Sequence, residues 1–558
     1  MQRLRKSALG LSFIINICIF AGLMLAFRPC YETSDDMYMN EFANGIFGRP
    51  ENHLVFINYI MGCIIQGLYE LIPIVNWYAA VQYISVFVSF IVIAYIFIQY
   101  KGLQLGGLLS AIVITVFGYQ GYIRPQFSKT AGMLVLAGAL LIFFAFKSEV
   151  QIWKKVLVGV LMMLAGGLFR DSVFWLCLLM VFPIGVVEFL RDFLKYKFKC
   201  VKKYVIIVMV FGITLGGFIL TNVYHDAQYQ KEQEWADYLA WNEALSPLID
   251  GFFPYYEDDW QLYQELGISE KDLRYYEDWH IADVEQLSTE TLTRLGAAKE
   301  AYWVSLKTRF VNFFSVFPMA FLRISVFPYC MLILTFLVLQ AKKKNYFAYI
   351  TETGALFMAY MYMYMSGRVL YNRIDVIVWM GAILACIYLC EPADGENETR
   401  KRGNRNILAA MQVCVVLYLC ITNTSALRSN YDAQYEKDIR VRQEAISSDK
   451  EHLYLCTADV LGTGFLHNPF YIGEVGELSN YYVLGSWTVN TPVTNGVLQN
   501  YGVENPYRDA IDNDKVYIID IINPERLEQY IQENYSENAV LKLDHQAGAY
   551  NVYRVETK

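Results

Sequence analysis

Long apolar stretches separated by short charged loops run through the first 422 residues of the chain. The longest reach the roughly 20 residues that a helix needs to cross a bilayer. Eleven stretches are predicted as spans: Ser7–Phe27, Tyr78–Gln99, Leu103–Tyr119, Thr130–Phe146, Val156–Leu168, Val173–Leu190, Tyr204–Thr221, Phe321–Leu339, Phe347–Met365, Val376–Leu389 and Ile407–Thr422. The pattern predicts a polytopic α-helical membrane protein with about eleven transmembrane helices.

A twelfth apolar stretch, Leu54–Leu71, differs because one of its helical faces is polar or small. Asn58, Gly62, Gln66 and Glu70 recur at every fourth position. Such a face suits a helix that lies in the membrane interface or packs on protein better than a lipid-facing span. We therefore predict external interfacial helices here rather than another crossing.

The basic residues support this count of spans. If Leu54–Leu71 does not cross, the basic loops all fall on one side of the membrane: Lys101, Lys147 to Lys155, Arg191 to Lys203, Lys342 to Lys344 and Arg400 to Arg405. The positive-inside rule assigns that side to the cytoplasm. The prediction is a multi-pass plasma-membrane protein whose N-terminus is cytoplasmic and whose first span is an uncleaved anchor.

Three hydrophilic regions are then external. They are a first loop over residues 28–77, a long loop over residues 224–312, and a tail over residues 423–558 that follows the transmembrane domain of residues 1–422. In the tail, Lys515–Ile522 resembles a buried strand, and Asn523-Pro524 is typical of a helix start. The tail is therefore predicted to be a small extracytoplasmic α/β domain.

Composition and charge narrow the possible functions. The chain is 55% hydrophobic and only 18% charged, where a soluble protein would have about 25% charged residues. None of its eleven cysteines or six histidines shows metal-ligand spacing. This argues against a disulfide scaffold, a zinc site and a zinc hydrolase. No nucleic-acid partner and no cofactor are predicted.

The stretch Tyr31–His53, directly after the first span, concentrates acidic residues beside the membrane. Thr33 and Asp36 have the spacing of a short capping box, and Gly45 and Gly48 can end the helix that follows. Asp35 and Asp36 would then offset the helix macrodipole in its first turn. Alternatively, this carboxylate pair is a general base or a metal ligand for chemistry on a lipid-borne substrate. Glu32 and His53 flank the pair, and His53 either assists there or is a hydrogen-bonded loop residue.

Basic residues from several external turns are predicted to converge on the same face of the membrane. As a set they suit a phosphate or pyrophosphate headgroup, while singly each could cap a helix, pair locally or snorkel to lipid. Cations beside a carboxylate are what group transfer from a lipid phosphate requires, because the cations stabilise the leaving phosphate. The candidate phosphate contacts are Arg124, Lys129, Arg170, Arg368 and Arg373.

The long loop is acidic and aromatic. Between Asp226 and Glu300 it carries 18 acidic residues against 5 basic ones, interleaved with tyrosine and tryptophan. Its aromatic side chains could stack on sugar rings, or they could form the core of an external subdomain or an interfacial belt.

The N-terminal half, about residues 1–190, resembles the GT-C membrane glycosyltransferases. The resemblance rests on the external ETSDD motif (Glu32–Asp36), the following HLVFINYIMGCIIQGLYEL and WYAAVQYISVFVSF, the turn GGLFRDS, and a soluble external tail. It implies a polyprenyl-phosphate-linked sugar donor, inverting transfer to a glycan, lipid or protein acceptor on the outer face, and Asp35 or Asp36 as the catalytic carboxylate. Some members use a divalent metal, which no second acidic motif indicates here. Asn52-His53 replaces the Pro-Pro that often opens the second interfacial helix.

Two other functions fit the same sequence. One is a transporter or flippase for lipid-linked sugars, which would require repeats and broken helices near the bilayer midplane. The other is a non-catalytic membrane assembly protein of surface-polysaccharide synthesis, whose tail binds a partner.

Overall fold

The structure, a computed structural model, describes residues 2–300, 306–320, 324–339, 346–366, 371–390, 398–427, 441, 443–457, 468–520, 523–548 and 550–558. Its helices are α1 (Gln2–Ala26), α2 (Ser34–Asn44), α3 (Tyr59–Leu71), α4 (Trp77–Lys101), α5 (Leu103–Gly118), α6 (Phe127–Ser148), α7 (Ile152–Phe169), α8 (Asp171–Tyr196), α9 (Val201–Tyr229), α10 (Gln233–Ile249), α11 (Trp260–Leu266), α12 (Glu270–Glu277), α13 (Thr289–Glu300), α14 (Leu306–Ala320), α15 (Phe327–Leu339), α16 (Tyr346–Met365), α17 (Asn372–Leu389) and α18 (Glu398–Thr422). Two further helices, Pro492–Asn500 and Pro524–Asn534, lie among the strands of the tail.

The described helices confirm a multi-pass membrane protein. Eight helical stretches are long and apolar enough to cross a bilayer, and one of them, Asp171–Tyr229, comprises both α8 and α9. The shorter apolar α15 and the 20-residue α16 cover two more predicted spans. Each of the eleven predicted spans thus overlaps a helix.

Helix α6 is the central element of the bundle. Every residue from Phe127 to Phe146 is buried. Its partner α7 approaches so closely that a Cβ on Gly138 would lie 2.5 Å from the carbonyl oxygen of Gly159. Small residues allow such an approach between membrane helices. Close packing on all sides therefore holds α6, including the side chains at its N-terminal end, in a fixed position.

The prediction for Leu54–Leu71 is right about packing and wrong about length. Helix α3 begins only at Tyr59, because Asn58 caps it with a side-chain oxygen that accepts from Ile60 N at 3.1 Å. The predicted polar face packs on protein: Gln66 donates to the Pro50 carbonyl at 3.1 Å, and a Cβ on Gly62 would overlap the Asn52 carbonyl.

The tail forms a five-stranded sheet in the order β2-β1-β3-β5-β4. The strands are β1 (Leu453–Cys456), β2 (Tyr481–Val483), β3 (Val516–Ile519), β4 (Ala539–Ala547) and β5 (Tyr550–Thr557). The first three strands are parallel, and β5 pairs antiparallel with β3 and β4. This is the α/β architecture expected from sequence, with an additional short strand β2 and the helix Pro492–Asn500, neither of which was predicted.

Two basic residues of the predicted cytoplasmic loops, Lys101 and Lys147, lie at the ends of α4 and α6 that are remote from α2. Lys147 pairs with Glu188 at 2.6 Å and lies over the rings of Tyr100 and Tyr388. Tyr100 is near the C-terminal end of α4, whereas Tyr78 at its other end contacts α2. A helix of this length separates the two ends by about 36 Å. The acidic motif and these basic residues thus occupy opposite ends of the spans.

Candidate functional site

The predicted helix after the first span exists, and its N-terminus differs from the prediction. Helix α2 runs from Ser34 to Asn44 and is capped by Gly45, which has φ +80° and donates to the Glu41 and Phe42 carbonyls. The capping box is wrong: the Thr33 hydroxyl does not accept from the backbone and instead donates to Asp36 Oδ2 at 3.3 Å. Asp36 cannot close the box because other groups occupy its carboxylate.

Asp36 is fully buried and joins three elements. Its Oδ1 accepts from the Tyr78 hydroxyl at 2.9 Å, from Gln82 Nε2 at 3.1 Å and from the Phe127 backbone N–H at 2.9 Å. These donors belong to α4 and to the first turn of α6. Burial raises the pKa of Asp36 to about 7, although the hydrogen bond from Tyr78 lowers it, and the neighbouring Asp35 charge adds to the rise. Asp36 therefore fixes α2 against the centre of the bundle.

The buried carboxyl makes stability depend on pH. The folded pKa of Asp36, about 7, exceeds its usual value of 3.8, so the folded state retains a proton that the unfolded state has lost. Stability is then lost as pH rises through the folded pKa. We expect the free energy of unfolding to fall by about 2 kcal/mol between pH 5.5 and pH 8.

Thermal unfolding in detergent across this pH range checks the expectation. Asp36→Asn retains an oxygen acceptor for Tyr78, Gln82 and Phe127 and cannot ionise, so its pH dependence should be flatter by that amount. Parallel curves for the two proteins would assign the pH dependence to another group.

Asp35, next to Asp36, lies in a more open environment. Its side chain is 20% exposed, and its Oδ2 lies 3.5 Å from Nη1 of Arg373, the second residue of α17. Burial raises the pKa of Asp35, and the charges of Arg373 and Arg170 only partly offset this. The indole of Trp487, contributed by the tail, also favours the charged form, although its N–H makes no hydrogen bond of ordinary length among the described residues.

Arg170 lies between α7 and α8 and is held by two aromatic rings. Its guanidinium carbon is 5.5 Å from the ring centres of both Phe56 and Phe127, and Nη1 donates to the Phe56 carbonyl at 3.3 Å. Val55, immediately before Phe56, has φ +57°. This conformation is costly for a β-branched residue and points to a constrained site. The strained turn presents the Phe56 carbonyl and ring to Arg170.

Lys129 is fully buried in α6 and pairs with Glu32 at 2.8 Å. Burial disfavours the charge on Glu32, but Lys129 and the Asn372 amide more than offset this and hold the pKa of Glu32 below its usual range. The pair belongs to a ring of polar contacts that runs from Lys129 through Gln120 (3.3 Å), Ser325 (3.3 Å) and Asn372 (2.7 Å) back to Glu32 (3.1 Å). Lys129 thus joins α17 to the loop before α2.

Arg124 lies beside this ring. Ile123, the residue before it, accepts from the Cys30 backbone N–H at 2.9 Å, and the charge of Arg124 favours the ionised forms of Glu32 and Cys30. Its guanidinium makes no ion pair or side-chain hydrogen bond with any residue in the described ranges. Among the candidate cations it is the one whose hydrogen-bonding capacity is unused there.

Two candidate residues remain, His53 and Arg368. His53 lies apart from the acidic pair: its Nδ1 contacts Glu51 Oε1 at 2.7 Å, and its ring stacks on Trp235 at 4.9 Å. Of the two alternatives for His53, the structure thus shows a hydrogen-bonded loop residue rather than a neighbour of the acidic pair. Arg368 lies outside the described residues. No group of three or more His, Cys, Asp or Glu side chains within the described ranges is arranged to hold a metal ion.

The sequence did not single out two further residues that interact with the Asp35 carboxylate. Asp250, at the end of α10 in the long loop, has its pKa raised by burial and by the Asp35 charge, and lowered by Arg373. Trp487 packs against Tyr38 of α2 and Phe56 with ring centres 5.9 and 4.9 Å apart. Asp250 was one of many acidic residues in its loop, and Trp487 is over 400 positions from Asp35, so no local pattern distinguished either residue.

No family model matches the chain, and no curated protein matches it. Among solved structures it is similar to ArnT from Cupriavidus metallidurans in the apo state, with 11% identity, 99% of this chain and 96% of that chain covered, and a TM-score of 0.40. It is also similar to ArnT from Cupriavidus metallidurans bound to undecaprenyl phosphate, with 12% identity, 97% of each chain covered, and a TM-score of 0.39. Likeness at this level describes the general course of the chain and assigns neither a family nor an activity.

Proposed function

We propose that the chain is a GT-C-like membrane glycosyltransferase that moves a sugar from a polyprenyl-phosphate donor to a hydroxyl of a glycan, lipid or protein acceptor. The proposal rests on the ion pair between Asp35 and Arg373. Arg373 is the second residue of a span, and hence lies near the level of lipid headgroups. A carboxylate that is partly open to solvent and a guanidinium that can bind phosphate therefore meet where a lipid phosphate would be.

In the proposed reaction the acceptor hydroxyl oxygen attacks the anomeric carbon of the donor. The bond from that carbon to the phosphate oxygen breaks, and polyprenyl phosphate leaves with the electron pair. Asp35 takes the hydroxyl proton, and Arg170 and Arg373 stabilise the charge that develops on the phosphate. Attack opposite the leaving group inverts the anomeric centre.

Exposure and contacts support different roles for the two aspartates. A general base must come within hydrogen-bond reach of its substrate, and Asp35 is 20% exposed. Asp36 is completely buried, and three donors already occupy its Oδ1. We therefore assign catalysis to Asp35 and assign Asp36 to holding α2 in place.

The candidate cations likewise fall into substrate contacts and one buried positioning residue. Arg124, with unused donors among the described residues, and Arg170 are proposed phosphate contacts, together with Arg373 once substrate binds. Lys129 is buried and paired with Glu32, so its proposed role is to position the loop that carries the acidic motif. We place the end of the bundle that carries Asp35 outside the cell, together with the tail, and the N-terminus in the cytoplasm. The reason is that the basic residues lie at the opposite end, which the positive-inside rule assigns to the cytoplasm.

The Asp35–Arg373 pair predicts a shift in the pH dependence of transfer. Arg373 lowers the pKa of Asp35, so Arg373→Gln should raise it. Because the base must be ionised, the acidic limb of the pH profile of kcat/KM should move to higher pH. Arg191→Gln is the control, since Arg191 binds the Leu389 carbonyl at the opposite end of α17. An unmoved limb in Arg373→Gln would remove Asp35 from the role of base.

The activity itself can be tested with the purified protein in liposomes. A panel of polyprenyl-phosphate sugars is supplied with candidate acceptors, and mass spectrometry follows the release of free polyprenyl phosphate. Release by the wild type that is lost in Asp35→Asn would support the transferase. Movement of labelled lipid across the bilayer without release would replace it with the flippase. Neither release nor movement with any donor and acceptor would favour the assembly protein.

A further inference from the structure

One loop of the tail, residues 468–475, carries three exposed apolar side chains. Phe470 is 56% exposed and Val475 61%, and Ile472 between them is also exposed. Single apolar residues on a surface are ordinary, whereas a cluster on one short loop marks an interaction site. The loop belongs to the α/β unit, so its position relative to the spans determines what it contacts.

The loop reaches the side of a membrane span. The Phe470 ring stacks on Tyr83 with centres 5.8 Å apart and planes 5° apart. Tyr83 is six residues into α4, about 9 Å along the helix from its start. The next residue, Ile84, is exposed on the surface of the span. Phe470 therefore lies below the level at which α4 begins, beside a surface that faces lipid.

A second apolar segment adjoins the loop. Leu71, Ile72 and Ile74 form the turn between α3 and α4, and all three are exposed, Leu71 to 78%. Asn76, at the start of α4, donates from Nδ2 to the Tyr471 carbonyl at 2.9 Å, which joins the turn to the loop. We call the six side chains of these two segments the apolar rim: Leu71, Ile72, Ile74, Phe470, Ile472 and Val475.

We propose that the apolar rim is inserted into the bilayer leaflet on the side of the tail, so that the α/β unit rests on lipid as well as on the spans. The occupant is lipid because the rim adjoins the exposed apolar side chain of Ile84 on α4 and reaches below the first turn of that helix. The two exposed acidic residues beside it, Glu70 and Glu474, can remain at headgroup level.

This contact bears on the acidic helix. Directly after the loop, Gly476 N donates to the Gly45 carbonyl at 2.9 Å and Leu478 N donates to the Ile46 carbonyl at 2.8 Å. Gly45 and Ile46 follow the last turn of α2. The lipid-bound loop therefore fixes the C-terminal end of α2. This inference concerns anchoring and does not rest on the proposed reaction.

Site-specific photo-crosslinking of the full-length protein tests the proposal. Benzoylphenylalanine is introduced at Phe470 or Ile472, and the protein is illuminated in phosphatidylglycerol–phosphatidylcholine liposomes. Leu543 of β4 is the matched control, since it is an equally exposed apolar residue of the same α/β unit. We expect phospholipid adducts by mass spectrometry at 470 and 472 and none at 543.

Two results would overturn the proposal. Adducts between two copies of the chain at 470 would make the rim a protein interface. Equal lipid adducts at 470 and 543 would show that contact is not specific to the rim. Should the substituted chains fail to fold, a lipid-soluble diazirine applied to wild-type protein gives the same comparison. Its label should appear on residues 468–475 and be absent from Leu543, and absence from both would reject insertion.

Discussion

Replacing Asp35 with asparagine is expected to lower kcat/KM for sugar transfer by about 10²- to 10⁴-fold, the usual contribution of a general base. The replacement keeps the size of the side chain and removes its ability to take the acceptor proton. Release of polyprenyl phosphate from the preferred donor in liposomes measures the loss. Because burial raises the pKa of Asp35, a neutral side chain should leave thermal stability unchanged or higher.

The matched control is Asp171→Asn. Asp171 is exposed at the start of α8, beside Arg170, and accepts from the Ser172 backbone N–H at 2.6 Å. It lies at the same end of the bundle and is not part of the ion pair between Asp35 and Arg373, so its loss should not change transfer. Equal activity of Asp35→Asn and wild type would refute the assignment of the base, and an equal fall in both variants would indicate a general effect of charge.

Replacing Lys129 with methionine is expected to lower the free energy of unfolding by about 3 kcal/mol. Breaking a buried ion pair at one partner leaves an uncompensated charge, which costs roughly 3–5 kcal/mol, and Glu32 retains slight exposure that reduces the cost. Denaturation in mixed micelles measures the change. Lys542→Met is the control, because it breaks an exposed ion pair, with Glu556 at 3.1 Å. Its free energy of unfolding should fall by less than about 1 kcal/mol.

The double variant Lys129→Met with Glu32→Gln tests the cause. Neither side chain is then charged, so most of the stability lost in Lys129→Met should return. If the double variant is as unstable as Lys129→Met alone, the loss comes from the packing of the lysine stem rather than from the unpaired carboxylate.

Patterns within single segments predicted the fold well. The apolar stretches became helices because no backbone polar group can remain unpaired in a bilayer. Asn523 and Pro524 marked the start of a helix as expected, and Gly45 ended α2 because the left-handed backbone there favours glycine. The N-terminus of α2 was mispredicted because a capping pattern cannot show that Asp36 will be claimed by Tyr78 from another helix.

The site was only partly accessible from sequence. The acidic motif and three of the cations, Arg124, Arg170 and Arg373, could be singled out by charge and by position next to spans. Whether a given charge is buried and paired or open depends on contacts between distant segments. Lys129 looked like the other cations, yet a ring of contacts from α17 and the loop before α2 buries it.

Local periodicity and charge along the chain were enough to predict a multi-pass membrane protein with an α/β tail and an acidic motif after its first span. The burial of Asp36 and the partial exposure of Asp35 beside Arg373 became visible only in the folded chain. The two residues are adjacent and chemically identical, so their difference arises from the helices that pack against each of them. Packing of distant segments sets the burial and the partners of a charge, and these in turn set its chemistry.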